Sequence, residues 1–303
     1  MLSQNPTRIE KIYIKGYKKL LLIPLLLLII SIVILSVQYQ KTGSLINRDV
    51  TLKGGVSATI YTTQNIDTQK IVSDIEAKYP DYDVLTRELT DFSTGQNIGV
   101  TFEVSDIKAA ELEEIISKSI NFELTQENYS VEEVGSSLGE SFFREMVLAL
   151  LFSLIFMSIV VFITFRKVIP SVAVMASIIL EMVVTLAVLS LFGTKISSAG
   201  IAALLMVMGY SIDTDILLTT RVLKRETGTL FEKIKSAIKT GVTMTTTTII
   251  AMTIGIIITN STILKQMFTI ILIALIVDMV STWIMNTSLL VWYLDKKTKH
   301  ENN

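Results

Sequence analysis

The chain has 303 residues, half of them hydrophobic, with a net charge of −1 and a mean hydropathy of +0.56, well above an ordinary soluble domain. It contains no cysteine, which excludes a disulfide framework and thiol chemistry. Six stretches reach the 18 or so apolar residues that a helix needs to cross about 30 Å of hydrocarbon. They lie near 20–37, 146–165, 171–192, 197–220, 242–259 and 267–292.

The predicted fold class is a polytopic α-helical membrane protein of six transmembrane helices with a small α+β ferredoxin-like extracytoplasmic domain. Residues 1–37 make the cytoplasmic tail and first span, 38–145 the outer domain, and 146–303 the other five spans with a short cytoplasmic tail. The first span is longer than a signal-peptide core and no small-x-small site follows it, so an uncleaved anchor is expected. Arg8, Lys11, Lys15, Lys18 and Lys19 precede it. Arg166 and Lys167 lie between spans two and three, a further basic group between four and five, and Lys296, Lys297 and Lys299 in the tail. The alternate short loops hold only Lys195 and Lys265, which predicts both termini in the cytoplasm of a cell membrane.

Residues 38–145 carry 19 acidic and 9 basic side chains, a net −10; the remainder has 9 acidic and 18 basic, a net +9. An acidic outer domain above a basic inner side follows the membrane's own charge distribution and names no ligand. Within the domain, Asp49–Thr62 alternates as a strand with Val56, Ala58 and Ile60 on one face. Gly54-Gly55 interrupts it, as a bulge or bend does. Asp67 caps a helix running to Tyr79 that Pro80 ends. Asp83–Leu89 and Asn97–Val104 read as strands around an Asp-Phe-Ser-Thr-Gly turn at 91–95. Ile107–Ile120 is a second amphipathic helix, and Tyr129–Val134 a last strand. The order β-α-β-β-α-β is that of a ferredoxin-like split unit, a fold that fixes no function by itself. Asn128-Tyr129-Ser130 spells a glycosylation acceptor, a match short enough to arise by chance.

No phosphate-binding glycine loop is present, and His300, the sole histidine, lies in the polar tail. Neither a nucleotide, a nucleic acid, a metal nor another cofactor is expected, and no enzymatic activity. Four acids interrupt the spans instead: Glu181 in the third, Asp213 and Asp215 in the fourth, Asp278 in the sixth. Each costs roughly 2.5–3.5 kcal/mol on insertion scales, so a membrane helix seldom holds one without a use. Glu181 and Asp278 fall near mid-span. Asp213 and Asp215 sit about 200° apart on a helix and cannot face one partner. Span five opens with Lys239 and continues through Thr243, Thr246 and Thr247, hydroxyls that can bond their own helix, bridge helices or hold water. Acids, a cation and hydroxyls on adjacent spans suggest a proton path through Asp213, Asp215 and Lys239. Tyr210, Ser211, Thr214, Arg221, Glu181 and Asp278 would support it. Interhelical hydrogen bonding and a snorkelling lysine are the competing account.

Three blocks resemble the SecF family of protein-export membrane proteins, which works with SecD beside the Sec translocon. Leu52-Lys53-Gly54-Gly55 is similar to the family's Gly-Gly element. Val134-Gly135-Ser136-Ser137-Leu138-Gly139 is similar to its Val-Gly-Pro-x-Leu-Gly element, with Ser136 in the proline place. Gly209-Tyr-Ser-Ile-Asp-Thr-Asp215 resembles its membrane signature in the archaeal form. The resemblance implies a half-unit of the resistance-nodulation-division superfamily, paired with SecD and promoting export of a translocating polypeptide through the translocon channel; in the family's bacterial members a span-four acid and a span-five arginine are tied to proton-driven movement of the outer domain. The bacterial signature reads Asn-Asp-Thr where this chain has Asp213-Thr214-Asp215, and Lys239 takes the place of the bacterial arginine. Asp213 is expected as the principal titrating group, Asp215 as the second, Lys239 as the switching cation and Arg221 as an inner anchor. A half-transporter for a small solute or lipid, or a scaffold that steadies the translocon, are the other readings.

Overall fold

A computed structural model describes residues 7–64, 66–79, 82, 84–91, 94–105, 107–225, 227–259 and 261–301, without the side chains of Ser136, Thr262, His300 and Glu301. The expectations for Pro80, Asp83, the 92–93 stretch of the turn and the His300 side chain lie outside the described residues. Two short helices, α1 (Arg8–Lys15) and α2 (Tyr17–Leu20), lead into the first span, α3 (Leu22–Thr42). The other spans are α7 (Ser136–Phe165), α8 (Val168–Leu191), α9 (Ser198–Lys224), α10 (Leu230–Ile258) and a composite sixth. That last one joins α11 (Thr262–Val280) to α12 (Thr287–Glu301) through a π-helical turn, Ser281–Asn286. Six helices are thus long and apolar enough to cross a membrane. The spans α8, α9 and α11 pack together at the centre. The exposed flanks of α3, α7 and α10 carry Leu26, Ile30, Phe152, Phe156, Ile250 and Ile254, as a lipid-facing or partner-facing surface requires.

Two spans begin earlier than hydropathy suggests, because capping decides a helix start and hydropathy does not. Thr229 and Glu232 form a capping box in which Oε2 of Glu232 accepts from the Thr229 amide at 2.7 Å, so α10 starts at Leu230. The α7 helix starts at Ser136, directly after the last strand of the outer unit.

Between α3 and α7 lie α4 (Val50–Lys53), β1 (Gly55–Tyr61), α5 (Thr68–Lys78), β2 (Val84–Thr90), β3 (Asn97–Val104), α6 (Ala109–Ser119) and β4 (Tyr129–Val134). The sheet is antiparallel with order β2-β3-β1-β4, the ferredoxin-like arrangement. Its register pairs Val56 with Val104, Ala58 with Phe102 and Ile60 with Val100, which puts these six on one face. Ile71 and Ile75 of α5 and Leu112 and Ile116 of α6 close over them, each worth roughly 1.5–3 kcal/mol of burial. Asp67 caps α5 through the Lys70 amide at 3.0 Å. Asn128 accepts from the Thr125 amide at 2.7 Å and donates to the Glu123 carbonyl at 2.9 Å, so the sequon asparagine holds the turn into β4. Beside that turn, burial pushes the Tyr129 hydroxyl up to about 12, with Glu113 adding in the same sense.

The strand expected over Asp49–Thr62 is only half a strand. Asp49 caps a helical turn, accepting from the Thr51 amide at 3.0 Å and the Thr51 hydroxyl at 2.6 Å, and β1 begins after it. Gly54 and Gly55 make the passage from helix to strand at φ +89° and +135°, which side chains with a Cβ rarely adopt. Gly139 of α7 rests against this passage, its Cβ direction ending 2.6 Å from the Gly54 nitrogen. The two outer glycine motifs are therefore halves of one contact.

A second joint ties the outer unit to the loop between α8 and α9. Ile196 donates to the Asn47 carbonyl at 2.6 Å and accepts from the Asp49 amide at 3.1 Å. The Ser198 amide donates to Thr51 Oγ1 at 3.0 Å. Gln266 of α11 bonds both Ser197 and the Lys195 carbonyl from below. Burial pushes the Asp49 carboxyl above the usual carboxylate range, against the pull of its Thr51 donors, Arg87 and Lys195.

These contacts predict opposite outcomes for two neighbouring glycines. Gly139→Ala drives a methyl into backbone and should cost about 1–3 kcal/mol, seen as a lower unfolding temperature and faster proteolysis of the outer unit. Gly135→Ala meets nothing within 4 Å and should leave both measurements unchanged.

Candidate functional site

The polar residues of the three central spans recur at intervals of four, which places each set on one helical face. On α8 the stripe is Ser177, Glu181 and Thr185; on α9 it is Ser211, Asp215 and Thr219. On the sixth span it is Asp278, Thr282 and Asn286. Every one of these nine side chains is buried, none with more than 1 % of its surface exposed. The three stripes converge inside the bundle.

Asp278 is the most heavily bonded of the acids. Its Oδ1 accepts from the Ser211 hydroxyl at 2.8 Å and from Thr282 at 2.9 Å. Thr214 adds one hydroxyl, shared between the Ser211 carbonyl at 2.8 Å and the Asp278 oxygens at 3.3 Å. Asp215 receives the Asn286 amide on Oδ1 at 2.7 Å and faces Ser177. Glu181 lies beside Ser211 and within electrostatic reach of both aspartates. Among the described residues, both Glu181 oxygens, Asp215 Oδ2, Asn286 Oδ1 and the hydroxyls of Ser177, Thr185 and Thr219 have no hydrogen-bond partner. No described lysine or arginine is buried, so the acids have no internal counter-ion.

The π-helical turn falls where this network needs it. In a continuous α-helix, residues four apart drift sideways around the axis; the wider winding from Ser281 to Asn286 offsets that drift. Thr282 can then reach Asp278 while Asn286 reaches Asp215. The same turn buries Trp283 against Gly241 of α10, where any larger residue would strike the indole ring.

Asp213 and Lys239 lie elsewhere. Both are exposed on the outward side of α9 and α10, and no ion pair joins them among the described residues. Met206, Gly209, Tyr210 and Asp213 fall on one face of α9 at helical spacing, with Met206 58 % exposed and nothing within 4 Å of the Gly209 Cβ direction. Lys239, Thr243, Thr246 and Thr247 form the matching face of α10. The Thr243 and Thr247 hydroxyls turn back to their own helix, to Lys239 O at 2.7 Å and Thr243 O at 2.8 Å. Tyr210 bridges the two helices through Thr245 at 3.5 Å and Thr248 at 3.4 Å. Arg221 donates to the Ser236 carbonyl and to its hydroxyl, the latter at 2.8 Å, tying the last turn of α9 to the first turns of α10.

Asp215, not Asp213, turns into the bundle: Asp215 is fully buried and Asp213, expected as the principal group, lies on the surface. The sequence reading also passed over Ser177, Thr185, Thr219, Thr282 and Asn286, which the shared four-residue interval around each acid marks out. Among the described residues no cluster of acids or histidine is arranged to hold a metal.

Comparison with known proteins fits this architecture. Residues 114–296 match the family model of the C-terminal region of protein-export membrane proteins SecD/SecF. The protein-export membrane protein SecF of Methanolacinia petrolearia is 35 % identical over 285 residues, covering 93 % of this chain and 95 % of that protein. SecF of Methanocaldococcus jannaschii is 36 % identical over 287 residues, covering 93 % and 97 %. Among solved structures, SecDF of Thermus thermophilus, described as a translocon-associated membrane protein, superposes with a TM-score of 0.74 at 18 % identity. It is matched by 93 % of this chain, which spans 38 % of that longer one; the likeness is one of fold. With the family model covering more than half of its length and relatives above 30 % identity nearly end to end, the chain belongs to the SecD/SecF family of protein-export membrane proteins.

Proposed function

We propose that this chain is an accessory subunit of protein export that pairs with a SecD-type subunit through the outward face of α9 and α10. The termini and basic loops lie in the cytoplasm, and residues 38–145 lie outside, beside the translocon channel and the emerging polypeptide. One observation carries the pairing: Asp213 and Lys239 are exposed on two apolar membrane-length helices, and no described residue lies within 4 Å of the Gly209 Cβ direction. A charge left against hydrocarbon costs roughly 2.5–3.5 kcal/mol, so a second membrane protein supplies the cover. Close approach at a glycine is how membrane helices commonly meet.

Proton coupling fits the same geometry. Three carboxyls buried within mutual reach and without a buried cation cannot all be anionic, because each charge lacks solvation and repels the others. The cluster therefore carries protons. Asp213 and Lys239 on the partner-facing surface give those protons a charged approach, and Tyr210 with the hydroxyls of α10 lies between the two faces.

Gly209→Trp fills the bare surface and should abolish co-purification with the SecD-type subunit in gentle detergent while leaving the chain's own abundance unchanged. Full recovery of the partner overturns the pairing face. With the pair intact, Asp215→Asn and Glu181→Gln should each slow export of a reporter precursor at least tenfold in energised vesicles and leave the rate without a proton gradient unchanged. Equal loss in both conditions assigns the acids to structure alone.

A further inference from the structure

At the inner ends of the central spans, a cavity of about 440 Å³ opens between the start of α8, the end of α9, the start of α10 and the end of α12. Its floor is Val222, Leu223, Leu230 and Leu294; its rim carries Lys167, Lys233 and Lys297 with the hydroxyls of Thr229 and Thr298. No carboxylate lies among the lining residues. Glu232, on the first turn of α10, is engaged with the Thr229 amide in the capping box, and Asp295 pairs with Lys299.

Four other cations at these helix ends are engaged within the chain. Lys224 donates to the Thr164 carbonyl at 3.1 Å and lies over the Phe165 ring, Lys299 pairs with Asp295 at 2.9 Å, Lys296 covers Trp292, and Arg221 holds Ser236. Lys167 and Lys233 form no ion pair among the described residues, although both line the same hollow. Two ammonium groups on the rim of one hollow, with no carboxylate among its described lining residues, favour an incoming anion.

The hollow also has a particular depth. Lys167 immediately precedes the apolar run of α8, and Leu223 ends that of α9, so the ring of lysines stands at the boundary between hydrocarbon and headgroup. Basic pockets between spans at this level suit the phosphates of anionic lipids. The floor leucines supply what a free anion has no use for: apolar contact with the glycerol and first methylenes of a lipid.

From the lysine rim, the apolar floor and their depth, we infer that this cavity is a binding site for the headgroup of one anionic phospholipid, its phosphodiester held by Lys167 and Lys233. The inference stands apart from the reading of the acids and of the partner face.

The test uses the full chain purified in mild detergent and mixed with phosphatidylglycerol, phosphatidylcholine or inorganic phosphate. Native mass spectrometry should show one phosphatidylglycerol retained in preference to phosphatidylcholine. Retention should fall about fivefold for each of Lys167→Gln and Lys233→Gln, the change expected for one surface lysine, and about twenty-five-fold for the double variant. Lys167→Arg should retain lipid as the native chain does, and Lys299→Gln, outside the cavity, should be unaffected. Millimolar inorganic phosphate should neither displace the lipid nor raise the unfolding temperature. Equal retention of phosphatidylcholine, no loss in the double variant, or stabilisation by phosphate alone each overturns the assignment to a lipid headgroup.

Discussion

Burying Glu181, Asp215 and Asp278 together is the demand around which this membrane bundle is built. An acid in hydrocarbon is tolerated only where other helices surround it and polar groups reach it. That demand puts α8, α9 and the sixth span at the centre, because they alone carry the acids, and leaves α3, α7 and α10 around them. It also accounts for hydroxyls at every fourth residue and for a π-helical turn in the one span that must serve two acids at different heights. The network is unevenly bonded. Asp278 is surrounded by donors, whereas both Glu181 oxygens lack a hydrogen-bond partner among the described residues, and an unpaired polar group in a low dielectric is costly.

The same bundle has two kinds of surface. Most of it is smooth and apolar. The flanks of α9 and α10 are not: α9 exposes the Asp213 carboxylate there, and α10 the Lys239 ammonium. Two acids separated by a single residue thus divide the labour, one inward and one outward, simply because successive odd positions on a helix look in opposite directions. The solved structures it resembles in fold are longer chains, of which this one spans about two fifths.

Much of this was legible in the sequence, for identifiable reasons. Apolar runs long enough for a membrane declare themselves, and the alternation in Asn97–Val104 and Tyr129–Val134 gave those strands to the residue. What local pattern could not reveal was decided by capping or by tertiary packing. Asp49 converts the first half of an apparent strand into a helical turn, a choice made by one side-chain oxygen. Thr229 and Glu232 start α10 well before its apolar run, in a stretch that reads as a charged loop. Which of Asp213 and Asp215 lies inside depends on the rotation of α9 against α8 and α11. That rotation becomes readable only when Ser211, Asp215 and Thr219 are seen as one row with counterparts on two other helices.

The contact of Gly139 with the Lys53–Gly54 backbone has a mechanical corollary. Strand β4 passes into α7 through a single residue, and three residues later the helix is pressed onto the start of β1, the strand paired with β4. Sheet and second span are fastened at two points of the same corner, so they form one rigid crank. The direction in which that span leaves the sheet is thus set by backbone packed on backbone, with no side chain between to take up a change of angle.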